Sequence, residues 1–390
     1  MTDLRFTVTN TSPDGGTFLT PFWFGLHDGS FDLFESGEAA SAGLEALAED
    51  GTFDTIGQEL TDADADGQGF VVTGAGGPIA TGETGFVVVD VDGSSNPYAS
   101  FGAMLLPSND AFVGNNQALE LFDENGEFVG AQTVSFSGDR VYDAGTEVNT
   151  EMDAAFINQT APDTGIDENG VVTLHPGFID SLGNPGGTPI ILGGTNAFGA
   201  FIDPVAADFT QPAAQIATVH INTVAEVDLG TNGRFYIGGS DDDLVEGNDA
   251  RNFILGRRGW DVIDGEGGRD VIKGGRGNDV IDGGAGRDLI YAGRDSDQVT
   301  GGTGRDLVNL GRDTVADTFI YATGDGNDTV RNFGEADLLL LSVDGIATAE
   351  DALDVAEQEG RNVRFDFDEG SILLRNASLS DIDESNILIA

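Results

Sequence analysis

The first 228 residues alternate between short apolar runs and turn-forming residues. Leu4, Phe6 and Val8 lie two positions apart, which is the spacing of one face of a strand. Clusters of Gly, Pro, Asn and Asp separate the later runs, as they separate strands. The pattern predicts a β-sandwich with further strands at Phe86–Val89, Phe101–Leu106, Val171–Leu174, Ile190–Leu192 and Ile216–Ile221.

One helix is predicted within this β pattern, over Ala42–Glu49. Leu44, Leu47 and Ala48 have the i, i+3, i+4 spacing of a helical face, and Gly51 follows as a stop. The segment Asp62–Gly67 copies the first half of an EF-hand loop, but Thr73 stands where the bidentate Glu belongs and no flanking helix is predicted. A solvated acidic loop is the preferred interpretation.

Residues 238–309 repeat with a period of nine. Each of the eight blocks has Ile or Val at position 8, and each has Gly at position 1 except the block that begins with Ala292. Position 6 is an acid or an amide in every block: Asp243, Asn252, Asp261, Asp270, Asp279, Asp288, Asp297 and Asp306. A flexible glycine-rich linker needs no periodic Ile or Val, so the period indicates a folded repeat.

The nonapeptide form G-G-x-G-x-D-x-U-x explains this choice of residues. Glycines permit the positive φ angles of tight turns and leave backbone carbonyls bare, and the carboxylate adds charge. The repeat resembles the RTX, or haemolysin-type calcium-binding, repeat. In that family two nonapeptides form one coil of a parallel β-roll.

The RTX resemblance implies stacked ligands on two edges of the roll. Asp243, Asp261, Asp279 and Asp297 would stack on one edge, and Asn252, Asp270, Asp288 and Asp306 on the other. Ions between stacked neighbours would number about six, with the oxygen ligands that Ca²⁺ prefers. The sites of the uncharged Asn252 are expected to be weaker. Asp241, Ala250 and Asp295 replace position-4 glycines, so the end coils are expected to be less regular.

Residues 310–390 resemble the segment that follows the repeats in exported RTX proteins. Asp317–Tyr321 and Gly324–Phe333 match the capping segment, and Ser371–Ala390 is similar to an uncleaved C-terminal type I secretion signal. An ordinary β-cap without an export role is the alternative. The expected division is a sandwich at 1–228, a β-roll at 229–312, and a β cap with secretion signal at 313–390.

Charge and composition exclude several classes of function. The chain of 390 residues has 17 Lys and Arg against 68 Asp and Glu, a net charge of −51, which disfavours nucleic-acid and anionic-membrane partners. Cysteine is absent, so disulfides and thiolate sites are excluded. No run of 18 apolar residues predicts a transmembrane segment. The first ten residues do not resemble a signal peptide, which leaves a cytosolic protein or one exported without an N-terminal signal.

Three segments of the first 228 residues resemble the spondin domain of F-spondin and mindin. They are Thr20–Phe34 with the helix after it, Pro107–Gly114 and Val141–Glu147. The resemblance implies a C2-like β-sandwich used in matrix adhesion and receptor contact, and it implies no enzymatic activity.

The spondin resemblance also implies one divalent cation in the first domain. Its ligands would be Asn116 (or Asn115), Asp143 and Glu147, where Asn116 has lost the charge of the family's acid. An acid pair at i, i+4 in a glycine-containing loop also occurs without a cation, so both interpretations stay open. His27, His175 and His220 are not in metal-ligand spacing, and packing or surface roles are expected for them.

These features together predict a secreted, calcium-stabilised, non-enzymatic protein for extracellular adhesion or matrix contact. Its partner would be an extracellular or cell-surface protein or glycan. Three alternatives remain at this point. They are a self-associating structural surface protein, a hydrolase with an unrecognised site in the first domain, and a cytosolic calcium buffer.

Overall fold

The computed structural model describes residues 1–13, 16–74, 77–106, 108, 110–146, 170–175, 202–203, 207, 209 and 214–389. It divides into two compact units, Met1–Thr223 and Val224–Ala390. The division lies five residues before the expected boundary and falls inside one long strand, Gln215–Asp228. The predicted strand Ile190–Leu192 and the predicted ligand Glu147 lie outside the described residues.

The first unit is a sandwich of two antiparallel sheets, as predicted. Its strands are β1 Thr2–Asn10, β2 Phe18–Leu19, β3 Phe22–His27, β4 Gln68–Val72, β5 Thr84–Val91, β6 Tyr98–Leu106, β7 Ala111–Gly114, β8 Leu119–Glu120, β9 Gln132–Ser137, β10 Val141–Asp143, β11 Thr173–Leu174 and the first part of β12 Gln215–Asp228. One sheet has the order β9-β12-β1-β5. The other has the order β11-β10-β7-β6-β3-β4, with β2 and β8 paired to β6.

Aromatic side chains fill the space between the two sheets. Phe6 on β1 contacts Phe24 on β3, with ring centroids 5.2 Å apart, and Phe22 lies 6.2 Å from Phe136 on β9. All four rings are buried. Large buried rings contribute strongly to stability, so this unit has a core of its own.

Two helices cover a second apolar cluster in the first unit. The predicted helix is confirmed as α1, Ala42–Asp50, with the Ser41 hydroxyl capping its start and Gly51 closing it at φ 62°. The second helix, α2 at Asp54–Ala63, was not predicted, because Ile56 and Leu60 are its only buried side chains. The expectation that no helix flanks Asp62–Gly67 is therefore wrong.

The second unit is a parallel β-solenoid of about seven turns over residues 224–342, which confirms the predicted β-roll. Its strands are β13 Phe235–Ile237, β14 Asp242–Glu246, β15 Phe253–Arg258, β16 Val262–Asp264, β17 Gly267–Gly268, β18 Val271–Arg276, β19 Val280–Asp282, β20 Ala285–Gly286, β21 Leu289–Arg294, β22 Gln298–Thr300, β23 Thr303–Gly304, β24 Leu307–Gly311, β25 Thr318–Ala322, β26 Gly326–Arg331 and β27 Leu338–Ser342. The last part of β12 pairs in parallel with β14 and begins the stack.

Every coil of the solenoid places one position-8 side chain on each side of a narrow core. The predicted set is buried, with exposed fractions of 0–2%. Its members are Val245, Ile254, Ile263, Ile272, Ile281, Ile290, Val299 and Val308. Parallel registers such as Ile263 opposite Ile281 stack them one coil apart. Each nonapeptide coil thus contributes two aliphatic side chains to the core, one from each sheet.

The same two sheets continue beyond the nonapeptides. Val299 pairs with Phe319, Phe319 with Leu339, and Leu339 with Ile387 on β31 Ile387–Ile389. The cap also contains α3 Ala349–Asp354, β28 Ala356–Glu359, β29 Asn362–Phe367 and β30 Gly370–Arg375. The β cap therefore extends the roll's own stack.

Replacing Ile281 by Ala should destabilise the roll by about 2–5 kcal/mol, because a fully buried side chain would leave a cavity. Ile281→Val, which removes one methylene, should cost about 0.5–1.5 kcal/mol. Denaturant unfolding of the calcium-loaded chain measures both. Equal effects of the two changes would contradict the packing described for this position.

Candidate calcium centres

A continuous ladder of carboxylates runs along the first edge of the roll. The Oδ1 atom of Asp261 accepts the backbone N–H of Asp243 at 2.9 Å. Asp279 Oδ1 accepts from Asp261, and Asp297 Oδ1 accepts from Asp279, each at 2.9 Å. Each carboxylate is therefore held directly against the coil before it, in the order expected from the nonapeptide period.

A second ladder runs along the other edge. Asp270 Oδ1 accepts the backbone N–H of Asn252 at 2.6 Å, Asp288 accepts from Asp270 at 2.6 Å, and Asp306 accepts from Asp288 at 2.7 Å. At its start, Asn252 accepts the N–H of Asn248 through Oδ1. The structure thus brings the eight predicted side chains together in two stacks of four.

Both ladders extend past the predicted residues. Asp317 and Asp337 continue the first edge, with Oδ1 atoms accepting from the preceding rung at 3.0 Å, and Asp328 continues the second at 2.8 Å. They were missed because their separations from the preceding rungs are 20, 20 and 22 residues instead of 18. A sequence pattern that could have revealed these three residues is an Asp two positions before a large apolar side chain, as at Asp317 and Phe319.

The second oxygen of each carboxylate faces an environment that suits a cation. The Oδ2 atoms of Asp270, Asp288 and Asp297 are buried and have no hydrogen-bond partner among the described residues. Burying a charge without a partner is costly. Hard oxygen donors around a buried negative charge are the ligand set of Ca²⁺.

Position-1 glycines open the space around these oxygens. A Cβ atom added at Gly256 would overlap the Asp261 carboxylate and come within 2.9 Å of the Gly274 carbonyl oxygen. At Gly274 it would overlap the Asp279 carboxylate and meet the Ala292 carbonyl oxygen at 2.8 Å. A side chain here would fill the cradle in which carboxylate and carbonyl oxygens converge, so the residues present fit a bound calcium ion.

Burial raises the pKa of the ladder carboxylates. The pKa of Asp270 is raised to about 6, and those of Asp306 and Asp317 to about 7, with desolvation as the main cause. The hydrogen bond from the preceding rung opposes the shift, and the next carboxylate in the stack adds to it. A cation between the rungs would remove this penalty, because it offers the charged form a partner.

A separate group of possible ligands lies in the first unit. Ligand atoms of Asp110, Asp143 and His175 all lie within 4.8 Å of one another. Pairing of β10 with β7 sets Asp143 opposite Ala111, and His175 donates its backbone N–H to the Val141 carbonyl at 2.9 Å. Three distant parts of the sequence therefore converge on one position.

The first-unit group differs from the predicted one. It shares Asp143 with that prediction, whereas Asn116 is exposed and follows β7. Asp110 and Asp143 are buried, and burial lowers the pKa of His175 to about 4, against the opposing effect of Asp143. A neutral imidazole can coordinate a metal ion. The expected lack of a metal-ligand role for His175 followed from sequence spacing, which does not reveal strand pairing.

Comparison with known families identifies both units. Residues 237–272 and 273–308 match the family model of the RTX calcium-binding nonapeptide repeat. The chain carries RTX repeats. Residues 15–168 match the Spondin_N family model, so the first unit contains a Spondin_N domain. RTX repeats bind calcium, which agrees with the donor set of the two ladders.

Similarity to individual proteins is slight. No curated protein matches the chain. One solved structure, the extracellular lipase LipA from Serratia marcescens, is 18% identical with a TM-score of 0.22. The match covers 43% of this chain and 42% of the lipase. Within the described residues, no helix is long and apolar enough to cross a membrane.

Asp279 is bonded to the rungs on both sides, Asp261 and Asp297, so it borders two of the spaces in which an ion would bind. Asp279→Asn should therefore raise the calcium concentration needed to fold the roll by roughly tenfold, because the charge of the ligands tunes the affinity for calcium. The matched control is Asp264→Asn, which removes the same charge from an exposed position of the same roll. A calcium titration followed by circular dichroism gives both midpoints. Equal midpoints for the two variants would contradict a ligand role for the ladder.

Acid should stabilise the calcium-free roll. The pKa values of Asp306 and Asp317 are about 7 in the folded chain and about 3.9 in an unfolded one, so folding takes up protons. Stability should therefore be greatest near pH 4 and fall as the pH rises to about 7. Because the calcium-free roll is expected to be unfolded near pH 7, circular dichroism of the calcium-free chain measures its folded fraction across this range and so gives the slope. Asp306→Asn should reduce the slope by up to about one proton, and an unchanged slope would contradict the assignment.

Proposed function

We propose that the protein acts outside the cell in adhesion or matrix contact and that its roll folds when it meets calcium after export. The main observation in support of this proposal is the pair of ladders of buried carboxylates. Ladder hydrogen bonds join nine successive pairs, six of them within the nonapeptides. About six Ca²⁺ ions in the nonapeptide gaps would neutralise the rungs that the fold brings together.

Charge repulsion supports a requirement for calcium. Residues 234–390 contain 15 basic and 33 acidic residues, a net charge of −18. About six ions would add about +12 and relieve most of it. RTX sites of the extracellular affinity class, with dissociation constants of about 10⁻⁴–10⁻³ M, would stay empty in a low-calcium cytosol. The repeats would then lack the neutralisation that folding needs and remain extended enough for export.

The C-terminal segment would act before the roll folds. Part of the predicted secretion signal forms β30 and β31, and Ile372, Leu374 and Ile387 lie in the core of the second unit. A transporter could not recognise these side chains while they are buried. We therefore place recognition of the signal in the calcium-free state and burial of the signal in the calcium-bound state.

The Spondin_N domain is the proposed contact module. Its core is separate from the roll's core and rests on aromatic side chains between two sheets. Its partner would be an extracellular or cell-surface protein or glycan. Self-association into a surface lattice is the competing outcome, and assembly size with and without calcium distinguishes the two.

A divalent cation at Asp110, Asp143 and His175 would stabilise the contact module. Two buried carboxylates beside a neutral imidazole form a mixed oxygen and nitrogen ligand set. Imidazole ligands suit transition metals better than calcium. We therefore expect this position to take Zn²⁺ or a similar ion more strongly than Ca²⁺.

Removing calcium should open the roll and leave the sandwich folded. Limited proteolysis of the full chain in chelator should cut within residues 238–312 while the fragment containing residues 1–223 persists, because only the roll depends on ions between its coils. Calcium at millimolar concentration should protect the repeats. Cleavage of both units at the same rate would contradict independent stability.

Contact through the sandwich is tested by capture from cell-surface extract. The calcium-loaded chain should retain a partner, and the proteolytic fragment containing residues 1–223 should retain it as well. Retention by full-length chain but not by this fragment would assign the contact to the roll. Formation of large calcium-dependent assemblies without a captured partner would favour the structural alternative.

Zinc should stabilise the sandwich through His175. At a hundredfold excess over its dissociation constant, one bound ion should add about 2.7 kcal/mol. His175→Gln should abolish the rise in the thermal midpoint, whereas His220→Gln, the loss of a different imidazole, should leave it. Thermal unfolding of the calcium-saturated chain measures this. Equal stabilisation of both variants by zinc would rule out His175 as a ligand.

A further inference from the structure

The first strand of the roll, β13, carries the most exposed large apolar side chains described in this unit. Phe235 is 75% exposed and Ile237 is 54% exposed. Beside them on β15 lie Phe253, whose ring centroid is 6.2 Å from that of Phe235, and Leu255, which pairs with Ile237. Both β15 residues are half-buried. A contiguous exposed apolar patch of this kind is typical of a surface that contacts another protein.

The residues between these four show which way the patch faces. Ile254 of β15 is buried in the core of the roll, and Tyr236 of β13 packs against the same core. Successive side chains of a strand point to opposite faces of the sheet. The residues on either side of Ile254 and Tyr236 therefore point outward, and the patch is a continuous outer surface of two neighbouring strands.

The backbone of β13 is an open sheet edge. Among the described strands, β13 is the last of its sheet and pairs with β15 alone. The Arg234 carbonyl accepts the Phe253 N–H, and the Gly238 N–H donates to the Leu255 carbonyl, each at 2.8 Å. Backbone groups alternate in direction along a strand, so the N–H and C=O groups of the two most exposed residues point away from β15. Such an edge is a template for another strand.

We propose that β13 pairs in antiparallel fashion with β13 of a second copy of this chain and forms a closed twofold dimer. With the two copies of Tyr236 facing each other across the axis, Phe235 of each copy lies opposite Ile237 of the other. The outward backbone groups of these residues then form two hydrogen-bonded pairs. Directly opposed side chains of an antiparallel pair share a face, so the apolar side chains of both copies meet on one outer surface.

Charges beside the edge suit this arrangement. In the same register, the exposed Arg234 of each copy lies opposite Gly238 of the other, which has no side chain to obstruct the guanidinium. The exposed Asp241 follows three residues later, so a basic group of one copy faces an acidic turn of the other. The net charge of −51 opposes association at long range, but a Debye length of about 8 Å screens distant charges at physiological salt.

A head-to-tail stack of rolls fits the two ends less well. At the far end, the outermost parallel strand is β31, which belongs to the other sheet of the roll. The outermost strand on the sheet of β13 is β28, Ala356–Glu359, which is polar apart from its first residue and mostly exposed. Neither strand would continue the apolar patch, so the twofold pair closes without forming filaments. This dimer goes beyond the contact proposed for the Spondin_N domain and does not depend on it.

Sedimentation equilibrium of the calcium-saturated full chain at increasing concentration tests the dimer. A monomer–dimer equilibrium is expected, and Ile237→Ser should weaken it about tenfold or more, because each dimer loses two buried apolar contacts. The matched control is Val315→Ser, which changes a side chain of similar exposure, 44% against 54%, elsewhere in the second unit. The control should change the dissociation constant by less than about twofold.

Disulfide trapping tests the register, and the absence of native cysteine makes it specific. Chains with Phe235→Cys mixed with chains with Ile237→Cys should form a cross-linked dimer on mild oxidation, because opposed residues of a hydrogen-bonded pair lie about 5.5 Å apart at Cα. Either variant alone should cross-link about tenfold more slowly or less, since its thiols are diagonal neighbours about 7–8 Å apart.

Three results would overturn this dimer. One is a chain that stays monomeric at every concentration. Another is equal weakening by Ile237→Ser and Val315→Ser, which would show that association does not use the patch. The last is cross-linking of either cysteine variant alone as fast as the mixture, which would contradict the register. Calcium-dependent assemblies larger than a dimer would contradict its closure.

Discussion

The register of the parallel coils controls the chemistry of the second unit. A coil of 18 residues brings each Asp over the Asp before it, and the hydrogen bond from backbone N–H to Oδ1 fixes that alignment, as between Asp261 and Asp279. The aligned carboxylates are buried, and burial disfavours their charged form. A cation bound between the rungs would offset this cost and would therefore favour the register that aligns them.

The two units obtain stability in different ways. The sandwich buries rings such as Phe6, Phe24 and Phe101 between sheets, which needs no ion. The roll has strands of only two or three residues, and the strand Val262–Asp264 buries a single side chain, that of Ile263. Each coil alone buries little apolar surface, so it depends on stacking against its neighbours. This difference is the physical basis for proposing that the roll responds to calcium while the sandwich stays folded.

The strict period made the roll predictable, and loss of the period limited the prediction. The eight position-8 and eight position-6 residues follow a spacing of nine without insertions, so their places in the core and on the two edges were evident. Longer turns displaced Asp317, Asp328 and Asp337 from that spacing, although they occupy equivalent rungs.

Long-range pairing limited the prediction of the first unit's candidate cation group. Asp110 and Asp143 lie on paired segments more than 30 residues apart, and His175 is brought to them by the β10–β11 pairing. No local spacing encodes such a convergence. The helix α2 was missed for a related reason. Ile56 and Leu60 are its only buried side chains, so its sequence shows little helical periodicity. The sequence predicts structure well where residues recur at a fixed spacing, and poorly where a site is formed by a single set of long-range contacts.

In a repeat structure, each position of the repeat unit recurs in successive coils, whether its side chain is buried or exposed. The stacking that turns one buried Asp into a column of cation sites also turns one exposed Arg into the row Arg258, Arg276 and Arg294. The two columns depend on the same register, but they have opposite charge and opposite exposure. Ions bound inside the turns would stabilise the spacing of the arginines outside without neutralising them. If the roll folds only with calcium, as proposed, the external row would be complete only in the calcium-bound fold.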